Sequence, residues 1–556
     1  MTPALGYRRL HFGLHDSLTR RLRGRRRRSE ASVNSSPIFR SFEARSGRYA
    51  TKTNGKSGHR CTAAACRASA AQIPSVFRFV LLGLLATIAV ETIAKELVFH
   101  PCPQAGSGGA QVLQAECAVL EVPLDPASPA GETLELAVTR LAGSARPPLK
   151  DALIAINGGP GGSSRDLLVD LGQALAMVAA ERDVIVVDQR GTGGSAKLRC
   201  DNPDPTIVDL STAATESLTR QCLAELPHDP RFFTTSVAIN DLEVLRDSLG
   251  LDTWTMYGVS YGTRVALHYT RRHPERVRAL IVDGIVPTGL ILGANVLHNS
   301  EAAFNALDWR CQQDPICSAA FGKLRPKLDQ LREQLKVPQT VELPHPVTGE
   351  STSIPLTYEH AAATVRLLLY APETMATIPF MIDEALAGHF LPLAAQSILA
   401  LEKVTESIAD GMHNAVVCTE DVPFFGAAEA DRAELARSYL GASMIETLRN
   451  VCAIWPKGVL DTDLHTPFES SVPTLLLSGE LDPITPPAYG DRLLKQFSQG
   501  QHLVAKGQGH GVLSRGCMPR LAAGFVSNPA NHSIDSRCLD RSPPTPIFLN
   551  SLGPSP

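Results

Sequence analysis

The chain has no apolar run of the ~20 residues that a bilayer-spanning helix needs. Its apolar stretch Phe79 to Val90 stops after about twelve residues at Glu91, so no stable membrane span is expected and the core of a secretory signal fits better. Small residues at Thr92 and Ala94 place a cleavage point after Ala94. No Cys-x-x-Cys or paired Cys/His spacing occurs, which removes the common zinc sites. The glycine-rich segment Asn157-Gly158-Gly159-Pro160-Gly161-Gly162-Ser163 lacks the Gly-Lys-Ser/Thr ending of a nucleotide phosphate loop. No basic stripe follows residue 75, so nucleic acid is not an expected partner. There is no internal repeat either, which excludes a solenoid or propeller array.

The remaining composition suits a large exported protein. With 556 residues, 44% hydrophobic and 20% charged, the chain can bury a sizeable core and exceeds one minimal domain. Its net charge of -3 hides an asymmetry: Lys and Arg outnumber Asp and Glu by about five to one before residue 76, and the rest is acidic. Residues 1–75, with the run Arg20 to Arg28, read as a disordered Arg-rich extension of the reading frame, in preference to a targeting peptide or a polyanion-binding arm. Residues 76–94 read as the signal-like segment. Of 12 cysteines, Cys61 and Cys66 lie in the extension, and the other ten fall in close couples, the pattern of disulfides in an oxidising compartment. Loop closure favours neighbours, giving Cys102–Cys117, Cys200–Cys222, Cys311–Cys317, Cys418–Cys452 and Cys517–Cys538. A secreted or periplasmic protein is expected, with a membrane-anchored form as the alternative. The oligomeric state is not legible.

Strand-like runs occur at 118–124, 134–141, 153–156, 184–187, 254–257, 280–282, 475–477 and 502–505. Helical periodicity fills several of the intervals, as at Ser236 to Leu249. Short buried strands alternating with helices predict an α/β architecture, a mostly parallel eight-stranded sheet flanked by helices. The rhythm breaks between about Pro287 and Val472, where helix-like segments dominate. This predicts a large helical cap inserted after the sixth strand. The expected divisions are a core at 95–290, the cap at 291–455, a second core part at 456–540 and a loose tail at 541–556.

Ser260 sits in Gly258-Val259-Ser260-Tyr261-Gly262, between the run Trp254 to Tyr257 and a helix-like stretch from Thr263 to His273. That is the strand, sharp turn and helix of a nucleophile elbow. A serine needs a base, and the base needs an orienting carboxylate. His510, in Gly507-Gln508-Gly509-His510-Gly511, follows a strand end and has glycines that admit close approach. Asp482, in Glu480-Leu481-Asp482-Pro483, lies just beyond the run Leu475 to Leu477, and Asp283 is its competitor. The order Ser, Asp, His is that of an α/β-hydrolase fold. Oxyanion donors are expected from the amide of Tyr261 and from Gly159, with Gly158 next.

Asn157 to Ser163, Asp188 to Ser195, Gly258 to Thr263, Asp482 to Pro486 and Gly509 to Gly511 together resemble the prolyl and tripeptidyl aminopeptidase family of α/β-hydrolases, in its secreted tripeptidyl aminopeptidase-like branch. The resemblance runs from about Cys102 to Cys538. It implies hydrolysis of peptide bonds near a free N-terminus, without metal or cofactor, on peptide substrates whose ammonium is held by an acid. Glu420 and Asp421 are similar in placement to the acidic anchors of that family. Asn157 departs from the His common in prolyl aminopeptidases, which argues against a proline preference. Arg190 is expected to tie loops together through an ion pair. The alternatives are a carboxylic ester hydrolase with the same triad and a non-catalytic binding module on a hydrolase scaffold.

Overall fold

Leu153 to Ile156 and Val184 to Val187 are apolar and buried at every position, as strands must be when both faces of a sheet are covered. In the computed structural model, which describes residues 97–105, 112–200, 211–531, 533–541 and 544–554, they are the centre of a nine-stranded sheet. In chain order its strands are β1 (His100–Pro101), β2 (Glu116–Pro123), β3 (Thr133–Leu141), β4 (Leu153–Ile156), β5 (Val184–Val187), β6 (Trp254–Val259), β7 (Val277–Asp283), β8 (Thr474–Gly479) and β9 (Gly500–Ala505). They lie in the order β1-β2-β3-β5-β4-β6-β7-β8-β9. The pairs from β5 onward are parallel, and β1 to β3 extend one edge antiparallel, with β3 against β5. All eight expected strands are present. The ninth is the two-residue β1, too short to leave a period in the sequence.

Side-chain alternation sends Ile154 and Ile156 to one face of the sheet and Leu153 and Ala155 to the other. The helices 235–248 and 261–272 pack on the first face through Ile239, Leu242, Val265 and Leu267. On the second face lie the helices 164–179 and 518–527, through Leu168, Leu175, Ala522 and Phe525. The sheet therefore has one apolar layer above it and one below, and the loops at the C-terminal strand ends are left to carry chemistry.

Between β7 and β8 the chain builds the cap, whose helices run from Ala294 to Ile454. The cap has its own core, including Phe304, Leu307, Leu328, Val365, Leu369 and Ile382. Besides its helices it contains one hairpin. Gln339–Pro344 and Ser351–Leu356 pair as an antiparallel hairpin. Its signal was present as the alternation of Val341 with Leu343 and of Ile354 with Leu356, with buried Leu343, Ile354 and Leu356 on the inner face. The tail expected to be loose is corrected: Ile547 is buried in the cap core and Phe548 donates its amide to the carbonyl of Ala376 at 3.0 Å. The five expected disulfides all form. Residues 1–96, which hold the Arg-rich and signal-like segments, lie outside the described residues. Among the described residues no helix is long and apolar enough to cross a membrane.

Candidate active site

Strand β6 runs straight into the helix 261–272, and the junction residue Ser260 has φ 56°. It is the one non-glycine residue with positive φ among the described residues, a conformation that costs a side-chain-bearing residue roughly 1–3 kcal/mol. The close backbone contacts explain the glycines two residues on either side. A Cβ on Gly262 would lie 2.4 Å from the carbonyl oxygen of Ile156, and one on Gly258 would lie 2.4 Å from that of Gly262. The Ser260 amide donates to the carbonyl of Asp283 at 2.9 Å, and the Thr263 hydroxyl donates to the Ser260 carbonyl at 2.6 Å. The turn is thus clamped from β7 and from its own helix. The Ser260 hydroxyl makes no hydrogen bond among the described residues, and such bonds commonly tighten only with substrate.

His510 and Asp482 meet at 2.8 Å between Nδ1 and Oδ2. The carboxylate is buried and fully engaged: Oδ1 accepts from the amides of Ile484 at 2.9 Å and Thr485 at 2.8 Å, and Oδ2 also accepts from the Thr485 hydroxyl at 2.8 Å. These donors fix the carboxylate, and the carboxylate fixes the ring. Burial works against a charged imidazole, but the charge of Asp482 and its hydrogen bond outweigh it, so the His510 pKa rises above its usual 6.5. The ring also lies against the end of β7. A Cβ on Gly284, next to the residue whose carbonyl holds Ser260, would lie 2.8 Å from His510 Cε1.

Asp283, the competing acid, has a different task. It is buried, and its carboxylate accepts from the amides of Val512 and Leu513, each at 2.9 Å, and from the Tyr257 hydroxyl at 3.0 Å. Burial pushes its pKa up, and those donors oppose the shift. Through its backbone it holds Ser260 and through its side chain it holds the segment after His510. Position relative to His510 favoured Asp482 in the sequence, but nothing there marked the bracing role of Asp283.

The glycine-rich loop separates the two oxyanion candidates. The Gly158 amide is taken by the Asn157 side chain at 2.7 Å, so it is not a free donor, which corrects that expectation. Gly158 instead supplies space, since a Cβ there would lie 2.6 Å from that of Ser260. The Gly159 amide, at φ 112°, has no partner among the described residues. Tyr261 opens its helix, where the first amides have no partner within the helix and carry the positive end of its dipole. A cap segment lies over this loop: Ala409 donates its amide to the Gly161 carbonyl at 2.9 Å, and His413 Nδ1 sits 3.2 Å from the Pro160 carbonyl. Arg190 pairs with Asp241 at 2.6 Å and also donates to the carbonyls of Pro123, Leu124 and Phe232. It ties loops together.

Glu420 and Asp421 do not stand free as an ammonium anchor. Both are buried. Asp421 takes both terminal nitrogens of Arg264, at 2.9 and 2.8 Å, and the amide of Leu292 at 2.8 Å. Glu420 accepts from Arg264 at 3.2 Å and from the amide and hydroxyl of Thr235 at 2.7 and 2.8 Å. Burial pushes the Glu420 carboxyl up to about 7, against the pull of Arg264. Each carboxylate accepts three hydrogen bonds, chiefly from Arg264 and Thr235, and together the two acids dock the cap onto the helix that follows Ser260. The signal overlooked was Arg264, one helical turn beyond Ser260. A cation on that helix needs a carboxylate from elsewhere. Tyr370 was also missed: it accepts the His510 amide at 2.8 Å, and its ring meets the imidazole edge-on at 5.2 Å. No local pattern marks it.

Residues 151–308 match the family described as alpha/beta hydrolase fold, and residues 437–538 match the family described as TAP-like protein. The chain is 25% identical over 498 residues to the serine protease Hip1 of Mycobacterium tuberculosis, covering 82% of this chain and 94% of that protein. It is 31% identical over 193 residues to the tripeptidyl aminopeptidase of Streptomyces lividans, covering 31% of this chain and 35% of that protein. Among solved structures, the proline iminopeptidase of Mycobacterium smegmatis aligns with TM-score 0.38 and 15% identity, over 74% of this chain and 98% of that one.

Proposed function

From the premise that this chain is an α/β-hydrolase of the serine-peptidase kind, we propose that it is an exported exopeptidase that cleaves peptide bonds near a free N-terminus. The observation that carries the reading is the strained Ser260 turn braced, through Asp283 and Gly284, against an imidazole held by Asp482. In this reading Ser260 Oγ attacks the scissile carbonyl carbon while its proton passes to His510 Nε2. The oxygen of the tetrahedral intermediate turns toward the amides of Gly159 and Tyr261, where each donor lowers the barrier by roughly 3 kcal/mol. Collapse breaks the C–N bond, and the proton on His510 goes to the departing amine. Water then attacks the acyl-enzyme with His510 again as base, which releases the N-terminal fragment and restores Ser260.

The direction of cleavage is supported by likeness to a protein named tripeptidyl aminopeptidase, and export by the five disulfides, which persist in oxidising compartments. The test is a panel of aminoacyl- and tripeptidyl-naphthylamides, each with a free and an N-acetylated amine. The wild type should release naphthylamine from the free forms, lose most of that rate on the acetylated ones, and lose all of it in Ser260→Ala with its melting temperature kept. Equal rates on both forms would remove the exopeptidase reading, and an active Ser260→Ala would remove the nucleophile.

A further inference from the structure

The buried and partly buried arginines of this chain are mostly answered by acids. Arg190 faces Asp241, Arg246 faces Glu243 and Arg264 faces Asp421. Arg366 is the exception nearest the chemistry. It lies in the last turn of the cap helix Tyr358–Leu368 and is partly buried. Among the described residues it has no ion pair. Its Nε is buried without a partner, and one terminal nitrogen donates only to the Tyr370 hydroxyl at 3.3 Å. A guanidinium stripped of part of its water without a carboxylate is unfavourable, and the natural complement of its planar fork is a carboxylate held by two parallel bonds.

Its position relates it to the reacting groups. The Arg366 Cζ stands 5.8 Å from the centre of the Tyr370 ring, and the His510 imidazole meets the same ring at 5.2 Å. The carbonyl of the same Tyr370 accepts the His510 amide at 2.8 Å. The charge of Arg366 also opposes protonation of both His510 and His413, and His413 rests on the Pro160 carbonyl of the oxyanion loop at 3.2 Å. An unanswered cation thus stands in the cap one aromatic ring away from the imidazole of His510.

We infer that Arg366 is a specificity-determining residue that anchors a carboxylate of the substrate, supplied by an acidic side chain near the scissile bond or by the free C-terminus of a short peptide. The peptide nature of that substrate rests on the function proposed above; the carboxylate requirement does not. The test therefore has two arms. In the first, wild type, Arg366→Gln and Arg366→Lys are labelled at Ser260 with two fluorophosphonates that differ only in ending in a carboxylate or a primary amide. The wild type should react faster with the carboxylate reagent by about tenfold or more, the range that a charge-assisted hydrogen bond confers. Arg366→Gln should bring the ratio near one while its rate with the amide reagent persists, and Arg366→Lys should keep part of the preference.

In the second arm, tetra-alanine is compared with its C-terminal amide, and C-amidated peptides with Glu are compared with their Gln counterparts. Whichever pair loses its difference in Arg366→Gln identifies the source of the carboxylate. A ratio near one in the wild type, or one that Arg366→Gln leaves unchanged, overturns the inference. Loss of the labelling preference in Arg366→Gln, with no peptide cut by the wild type, would retain the carboxylate anchor and remove the peptidase reading. A wild type that neither reagent labels would remove both.

Discussion

Replacing Asp482 with Asn tests whether this carboxylate, and not Asp283, orients the base. Asp482 accepts four hydrogen bonds, from Ile484, Thr485 twice and His510. In the variant the amide oxygen can keep the two backbone donors, which leaves the NH2 group pointing at His510 Nδ1. The ring must then accept at Nδ1 and carry its proton on Nε2, the nitrogen that has to receive the Ser260 proton. A comparable change in a related triad costs about 10⁴ in kcat, which is roughly 5.5 kcal/mol of barrier. The assay is kcat/KM on a tripeptidyl-naphthylamide from pH 5 to 9, with a melting curve for each protein. Because His510 is raised above 6.5 and must be neutral to act, the wild-type rate should climb as pH rises through a value above 6.5. The residual rate of the variant should climb at lower pH, since the raising charge is gone. Asp283→Asn is the control. It disturbs the amides of Val512 and Leu513, so it should cost on the order of 3 kcal/mol of stability but less activity than Asp482→Asn. If Asp482→Asn kept a tenth of the wild-type rate while Asp283→Asn abolished it, the assignment would be reversed.

Glu420, with a carboxyl raised from 4.5 to about 7 by burial, binds its proton more tightly folded than unfolded. The stability it contributes is full below pH 4.5 and is lost as pH rises toward 7. Compared with Glu420→Gln, the wild type should lose on the order of 3 kcal/mol across that window, read as a narrowing or reversal of the melting-temperature difference; a constant difference would contradict it. Gly158→Ala brings a Cβ to 2.6 Å from that of Ser260, so kcat should fall at least a hundredfold with little change in melting temperature, as followed by naphthylamide turnover. Removing Cys418 and Cys452 together opens a link with sequence separation 34. On chain entropy this should cost roughly 4 kcal/mol in urea unfolding, and a smaller loss than half of that would mean that the helices Asp410–Glu420 and Ser443–Ile454, which carry the two cysteines, stay docked without it.

The parts legible in the sequence are those whose physics is local. A buried strand writes itself as four or more apolar residues, as in Val184 to Val187. The elbow writes itself as glycines two residues either side of Ser260, because contacts at 2.4 Å admit no other residue. Neighbouring cysteines close the shortest loops, and the five pairs follow from that rule. What escaped is contact between segments far apart in the chain. Asp283 and Asp482 each follow a buried strand, and only the donors that reach them, Val512 and Leu513 for one and His510 for the other, tell brace from partner. Glu420 and Asp421 look like a solvent-facing acidic pair until Arg264 is brought against them.

Under the proposed mechanism, the same long-range contacts let a large cap influence the chemistry without supplying Ser260, His510 or Asp482. The cap reaches the site at three separate points. Tyr370 holds the amide of His510, Ala409 holds the carbonyl of Gly161, and the acids 420–421 hold Arg264 one turn beyond Ser260. The His510 loop, the glycine-rich loop and the helix after Ser260 are thus each bonded to the cap. A displacement of the cap would shift all three at once, and a reacting centre tolerates little misplacement before the rate falls. In that mechanism, substrate selection and catalysis are coupled through these bonds. A variant that leaves all three in place, such as Tyr370→Phe, which keeps the carbonyl and ring but removes the hydroxyl that Arg366 contacts at 3.3 Å, should alter substrate preference while leaving the pH dependence set by Asp482 in place.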